Sequence, residues 1–333
     1  MSGPEPIATA LTAPAAPGLR GAHEALAFYA RHPEALPRPN PLHRALWGAA
    51  TTALAARLVV TDRRLRRAAL LPSLLTLLGC TVLAAWSTLD AEPDEQQAAT
   101  FNAFLVSFVA LSSMPPTVLQ RLWIRLANEA RRALGLPPGE DPFPDEPFLR
   151  LMVREGLKAA RQAAVVSLGL LPLLAVVHVL PGGRQEAATI AGVWTFYWIV
   201  IDAFELPMEV VPGPRHGGPA PWYVRWHQRV GDWSRWLRPA RLAGRLLGRL
   251  TQPWNEEVAF TERHASETLG FGLVVGALLA VPVAGLFFRS VAIVGATALL
   301  GRLEPAGHLP RVEVAPPDAI APPPLPAAPP PLE

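Results

Sequence analysis

Residues 68–89 form a run of twenty-two positions without a charged side chain, and this run constrains the fold more than any other feature. A helix needs about 20 apolar residues to cross the hydrocarbon core of a bilayer. Further uncharged runs occupy residues 96–120, 162–183 and 187–201. Only 17% of all residues are charged, whereas soluble domains carry about 25%. The sequence therefore predicts an all-α fold, a polytopic integral membrane helical bundle in contact with a lipid bilayer.

The basic residues alternate between the segments that join these runs. Five arginines lie within residues 57–67, eight basic residues lie within 121–161, and nine arginines lie between Asp202 and Thr268. The intervening loops carry no basic residue in 90–95 and only Arg184 between the third and fourth runs. Because cytoplasmic loops are enriched in Lys and Arg, this pattern predicts a multi-pass protein of the cell inner membrane with both termini cytoplasmic.

The last apolar segment, residues 268–301, is charged only at Arg289. It is too long for one crossing and too short for two crossings with a turn. One arrangement crosses with residues 268–288 and leaves Arg289 at the far interface. The other dips into the bilayer, turns within residues 282–285 and returns. A charge at membrane depth is costly and suggests a function, but an arginine also snorkels to an interface.

The cytoplasmic segment 208–265 contains a basic amphipathic pattern. Trp222 and Trp226 are four residues apart, and Arg241, Arg245 and Arg249 repeat at the same spacing. We expect two helices broken near Pro239. Helices of this kind lie in the headgroup layer, with tryptophan at the interface. The alternative is a soluble helical hairpin that packs on itself.

Several classes of site are excluded by the motifs that the chain lacks. Cys80 is the only cysteine, so neither an intramolecular disulfide nor a cysteine metal site can form. The chain contains no P-loop, no GxSxG and no HExxH. We predict no catalytic residues, no metal, no cofactor and no nucleic-acid partner, and therefore no enzyme.

The two ends of the chain differ in composition from the middle. Residues 1–44 are rich in proline and alanine, and we expect them to be largely disordered, with a short helix within 21–32. They lack the pattern of a secretory signal peptide. Residues 303–333 form a proline-rich tail that cannot build a core. The membrane domain is therefore expected over residues 45–302.

The C-terminal stretch "LGFGLVVGALLAVPVAGLFFRSVAIVGATALL" resembles the signature of the CysZ-like sulfate permeases, which belong with the etoposide-induced-protein membrane family. The matching positions are Gly270, Gly272, Pro282, Gly295 and Thr297, and close helix packing is their expected role. "RRLRRAALLPSLLTLL" is similar to the basic start of that family's first helix, and "IDAFELPMEV" to its acidic, proline-ended motif. Gly285, Arg289, Ser290 and Thr76 depart from the family pattern.

The resemblance implies long spanning helices together with helix hairpins that penetrate only part of the bilayer. It also implies a homo-oligomer that takes up sulfate for cysteine biosynthesis without an ATP-binding motif. Arg66 and Arg67, which match the family's Leu-Arg-Arg start, are the anion-binding candidates, together with Arg289. The alternative for the pair is ordinary cytoplasmic anchoring. Asp202 and Glu205 are possible charge partners, or caps of their membrane segment.

Two functions remain open from the sequence. One is a permease or channel for sulfate or a similar small anion, which the C-terminal signature and the Leu-Arg-Arg motif favour. The other is a membrane scaffold or regulatory protein with the same fold and no transport, which the altered polar positions and the proline-rich tail favour.

Overall fold

The computed structural model describes residues 18–89, 100–103, 119–179, 183–212, 218–233, 238–281 and 284–304. Eleven α-helices lie entirely within these ranges, which contain no β-strand. They are α1 (Gly18–Arg31), α2 (Pro41–Thr61), α3 (Arg63–Ser87), α4 (Gln120–Ala133), α5 (Phe148–Val179), α6 (Gly183–Glu209), α7 (Trp222–Trp233), α8 (Arg238–Thr251), α9 (Asn255–Arg263), α10 (Ala265–Leu279) and α11 (Ala284–Leu303). The predicted all-α class is confirmed.

Three helices of the described part are long and apolar enough to cross a membrane. The apolar stretches are Arg63–Trp86 in α3, Gln185–Glu209 in α6 and Gly285–Leu303 in α11. Only 28% of the apolar window of α3, and the same share of α6, is buried in the protein, against 67% for α11. The first two therefore present most of their surface to lipid, whereas α11 lies mainly among other helices.

The α5–α6 pair extends well beyond the uncharged runs that predicted it. α5 has 32 residues and starts before residue 162, and α6 has 27 residues and continues past residue 201. Asp202 and Glu205 do not end the helix, because Lys158 of α5 forms ion pairs with Glu205 and with Glu209. Opposite charges on adjacent helices thus accommodate the acids of α6 within the helix.

The helix α3 starts at a capping aspartate. The Asp62 carboxylate accepts hydrogen bonds from the backbone N–H groups of Arg64 and Leu65, at 2.7 and 2.9 Å. Because the helix starts there and not at residue 68, Pro72 lies in its interior and leaves the carbonyl of residue 68 without its usual partner. At the residue after Pro72, the hydroxyl of Ser73 donates a hydrogen bond to the Leu286 carbonyl oxygen at 3.1 Å, which joins α3 to α11.

Part of the N-terminal segment assigned to disorder is structured. The helix expected there is α1, and it packs on α2 with Ala25 and Tyr29 buried in the core. The indole N–H of Trp47 donates a hydrogen bond to the Ala35 carbonyl at 3.0 Å. From Gly18 onward the segment therefore belongs to the folded unit. Residues 1–17 and the tail 305–333 lie outside the described residues.

The helices α10 and α11 form the hairpin that the last apolar segment suggested. α10 has 15 residues, about 22 Å, which is shorter than the roughly 30 Å hydrocarbon core. It ends at Leu279, so residues 268–288 do not form one crossing helix. The arrangement with Arg289 at the far interface is therefore wrong. Pro282, within the expected turn, lies outside the described residues.

The contacts with α3 show the direction in which α11 runs. Leu286 is buried against Cys80, whereas Val294 shares a cluster with Leu65, so α11 runs antiparallel to α3. α11 is therefore packed along α3 from the level of Leu65 to the level of Cys80. α3 continues beyond this contact to Ser87.

An aromatic layer joins α5, α6 and the α7–α8 hairpin. The indole N–H of Trp194 donates to the Val166 carbonyl at 3.0 Å. Tyr223 of α7 packs edge-on against Trp194, with ring centroids 5.1 Å apart, and Trp198 packs edge-on against Trp254 at 6.1 Å. The hairpin is therefore attached to the bundle through buried aromatic rings.

Candidate anion site

A cleft of about 400 Å³ opens between the start of α3 and the helix α4. We call it the arginine cleft, because three arginines contribute to its walls. Its lining residues are Arg64, Arg67, Ala68, Leu71, Leu122, Arg125 and Glu129. It lies where α3 changes from a basic to an apolar sequence.

The wall on α3 follows from helical spacing. Arg64, Arg67 and Leu71 are separated by three and four residues and therefore share one face. Asp62 fixes where this helix begins, and the hydrogen bond from the Leu65 N–H, with that from Arg64, holds the pKa of Asp62 below its usual range. Arg66 points elsewhere, since its Nη1 donates to the Val60 carbonyl at 3.1 Å. Of the predicted pair, only Arg67 lines the cleft.

The wall on α4 repeats this spacing with Leu122, Arg125 and Glu129. The carboxylate of Glu129 forms an ion pair with Arg132, three residues further along the same helix. Its negative charge is thus offset by an arginine outside the lining set. The cleft therefore carries an excess of positive charge from Arg64, Arg67 and Arg125, which suits an anion.

The sequence analysis did not predict that Arg64 and Arg125 would line an anion site together with Arg67. Arg64 carries the same signal as Arg67, because it precedes it by one helical turn. Arg125 had no comparable signal, since nothing in a single sequence places α4 beside α3. The convergence of three guanidinium groups is a product of the tertiary fold.

Arg289 lies near the cleft but outside its lining. Its guanidinium carbon is 5.7 Å from the centre of the Trp123 ring, within cation–π distance. Trp123 is on α4, about 100° around the helix from Leu122. The next residue, Ser290, places its Oγ 3.3 Å from the carbonyl oxygen of Ala69, two residues after Arg67. Arg289 is therefore level with the start of the apolar part of α3.

Asp202 and Glu205 belong to a different site. Glu205 is buried and is paired with Lys158, whose Nζ also donates to Glu209 Oε1 at 2.7 Å. Asp202 is half-buried, one helical turn before Glu205. The charge partner of Glu205 is thus the single lysine of the chain and not an arginine. This cluster ties α5 to α6 and does not contribute to the cleft.

The glycines of the C-terminal signature lie at close helix contacts. A Cβ on Gly270 would lie 1.8 Å from the carbonyl oxygen of Ala45 in α2. Gly272 faces Val200 of α6, and Gly295 faces the ring of Phe271. Thr297 is buried and its hydroxyl donates to the carbonyl of Ile293 within α11 at 2.8 Å. These positions shape the α2–α10–α11 core and do not line the cleft.

Comparison with known families bears on this arrangement. A family model described as sulfate transporter CysZ/etoposide-induced protein 2.4 matches residues 52–289. The chain belongs to this family. No curated protein sequence and no solved structure gives a significant match.

The match to the CysZ family includes most of the elements described above. The match covers more than two thirds of the chain, from within α2 to Arg289 in α11. Both walls of the arginine cleft lie inside it. The resemblance inferred from the sequence motifs is confirmed, and the chain is a membrane protein of a sulfate-transporter family.

Proposed function

We propose that this protein is a permease or channel for sulfate or a similar small oxyanion, in the inner membrane and in the service of sulfate assimilation. The observation that carries the proposal is the arginine cleft, where Arg64, Arg67 and Arg125 from two helices converge at the start of a lipid-exposed helix. Membership in the CysZ family supports the same conclusion.

The chemistry of the cleft suits a tetrahedral oxyanion. Guanidinium groups bind oxyanions through pairs of charge-assisted hydrogen bonds, and arginine keeps its charge at any physiological pH. The cleft volume of about 400 Å³ corresponds to roughly a dozen water molecules at about 30 Å³ each. An oxyanion therefore fits with part of its hydration shell, as an initial binding site requires.

The first test is uptake of labelled sulfate by proteoliposomes. Arg67→Ala removes charge-assisted hydrogen bonds worth about 1.5–3 kcal/mol, so we expect the apparent affinity for sulfate to fall by roughly 10- to 100-fold. Arg66→Ala is the matched control, because Arg66 is exposed and binds a backbone carbonyl outside the cleft. We expect its uptake to stay within twofold of the unmodified protein.

The outcome separates transport from a scaffold role. Sulfate flux no greater than in empty vesicles, with no sulfate binding by calorimetry, would refute the proposal and leave the non-transporting alternative. An equal loss in both variants would refute the assignment of the cleft. In cells, the unmodified gene should rescue growth of a sulfate-uptake-deficient strain on low sulfate, and Arg67→Ala should rescue it poorly.

A further inference from the structure

The α7–α8 hairpin exposes an apolar and basic surface that the anion site does not use. On α7, Trp222, Trp226, Arg229 and Trp233 are spaced by four, three and four residues and therefore share one face. Trp233 is 78% exposed, and the other two tryptophans are nearly half exposed. Contiguous exposed apolar patches mark interaction sites, and these three tryptophans form such a patch.

The second helix of the hairpin repeats the pattern. Leu242, Arg245, Leu246 and Arg249 all lie on the exposed side of α8, and Leu242 is 68% exposed. The opposite side of the hairpin is buried, with Tyr223, Val224 and Leu247 in the core cluster that contains Trp194 and Trp198. The hairpin therefore packs on α5 and α6 through one side and displays the tryptophans, leucines and arginines on the other.

The charges of the exposed side are mostly unmatched. Arg241 is paired with Asp232, and Arg225 with Glu262 at 2.9 Å. Arg229, Arg245 and Arg249 make no side-chain hydrogen bond or ion pair with the residues that the structure describes. The surface is therefore suited to a partner that is both negatively charged and able to receive indole rings.

The position of the hairpin along the bundle identifies this partner. On α5, Val165 contacts the hairpin cluster seven residues after Lys158, about 10 Å further along the helix axis. The buried lysine–glutamate cluster marks the polar end of the α5–α6 pair, and the uncharged stretch begins between the two levels. The hairpin is thus level with the boundary between polar and apolar surface, where tryptophan is enriched in membrane proteins.

We infer that the exposed face of the α7–α8 hairpin docks on anionic phospholipid headgroups of the bilayer that surrounds the protein. The tryptophans and leucines enter the boundary between headgroups and acyl chains, and Arg229, Arg245 and Arg249 bind lipid phosphates. This inference favours the headgroup-layer interpretation of the basic segment, because the hairpin packs on α5 and α6 and not only on itself. The inference is independent of whether the protein transports sulfate.

Spin-label accessibility tests the depth of the hairpin in the full-length protein. In a Cys80→Ala background, nitroxide labels are attached at Trp226→Cys and Leu246→Cys, with Leu78→Cys on the exposed side of α3 as the lipid reference. In vesicles that contain phosphatidylglycerol, we expect both hairpin labels to meet oxygen more than a water-soluble nickel chelate, at a shallower depth than position 78. Labels that read as water-exposed overturn the inference, and labels shielded from both reagents indicate a protein partner and also overturn it.

A charge comparison tests the preference for anionic lipid. Phosphatidylglycerol is titrated into the detergent-solubilised protein and its melting temperature is recorded. Each arginine near an anionic surface changes affinity about fivefold, so Arg245→Gln/Arg249→Gln should raise the half-saturating lipid concentration roughly 25-fold. The matched control is Arg20→Gln/Arg31→Gln on α1, which removes the same charge from exposed positions. A melting temperature that ignores the lipid, or equal shifts in both variants, overturns the inference.

Discussion

Replacing Lys158 with methionine tests whether the buried charge cluster holds α5 against α6. Methionine matches the length of lysine but carries no charge. The Lys158 side chain is 15% exposed, and those of its partners Glu205 and Glu209 are 11% and 6% exposed. The substitution therefore leaves two carboxylates in a largely buried position without their cation.

The expected loss follows from this burial. Removing one partner of a buried ion pair costs about 3–5 kcal/mol, mostly because the remaining charge is buried without compensation. At 2–4 °C per kcal/mol, the apparent melting temperature should fall by about 6–20 °C. Cys80, the only cysteine, is fully buried, so a thiol-reactive fluorescent dye reports unfolding of the detergent-solubilised protein at a fixed heating rate.

Two further variants make this experiment decisive. Arg161→Met removes a positive charge one turn further along α5 from an exposed position, and it should change the melting temperature by no more than about 2 °C. Adding Glu205→Gln and Glu209→Gln to Lys158→Met should restore much of the loss, because no uncompensated charge then remains. A Lys158→Met protein that melts within 2 °C of the unmodified chain would refute this account of the cluster.

Two further predictions concern helix contacts and helix starts. Gly270→Ala should lower the free energy of unfolding by about 1–3 kcal/mol, because its Cβ would overlap the Ala45 backbone. Gly156→Ala, on open helix surface, should raise it by up to about 1 kcal/mol, so equal effects in thermal melts would contradict the packing account. Asp62→Ala should cost about 1 kcal/mol through loss of the α3 cap. Since the pKa of Asp62 is lowered by folding, its contribution is fully present above about pH 3.9 and lost as pH falls through the lowered pKa. Asp62→Asn should keep the cap without this pH dependence. If its melting temperature falls at acid pH as much as that of the unmodified protein, the Asp62 carboxylate is not the source of the pH dependence.

The membrane architecture could be predicted from single runs of residues, because lipid imposes a local requirement. The uncharged runs 68–89, 162–183 and 187–201 lie almost entirely in helices where the structure describes them. For the last apolar segment the sequence left two arrangements open, and the end of α10 at Leu279 decides between them. Helix ends were less predictable. α6 continues through Asp202 and Glu205 because of a lysine on another helix, and no local pattern carries that information.

The candidate site was only partly predictable for the same reason. The Leu-Arg-Arg motif pointed to Arg66 and Arg67, but Arg64, one helical turn before Arg67, shares its face and lines the cleft in place of Arg66. Arg125 enters through the packing of α4 on α3. Lys158 could have been singled out from the sequence, because one lysine among 29 arginines indicates a position that arginine does not fit.

The position of α11 has a consequence for how the chain acquires its structure during synthesis. This helix contacts α2, α3, α4, α6 and α10, all of which precede it. The ribosome therefore synthesises these earlier helices before α11, which joins them. Until α11 is synthesised, the apolar surfaces that it covers in the folded protein stay unpacked. A chain halted before residue 284 should insert its first helices yet fail to assemble them, which makes it a substrate for membrane proteases and not a smaller version of the native bundle.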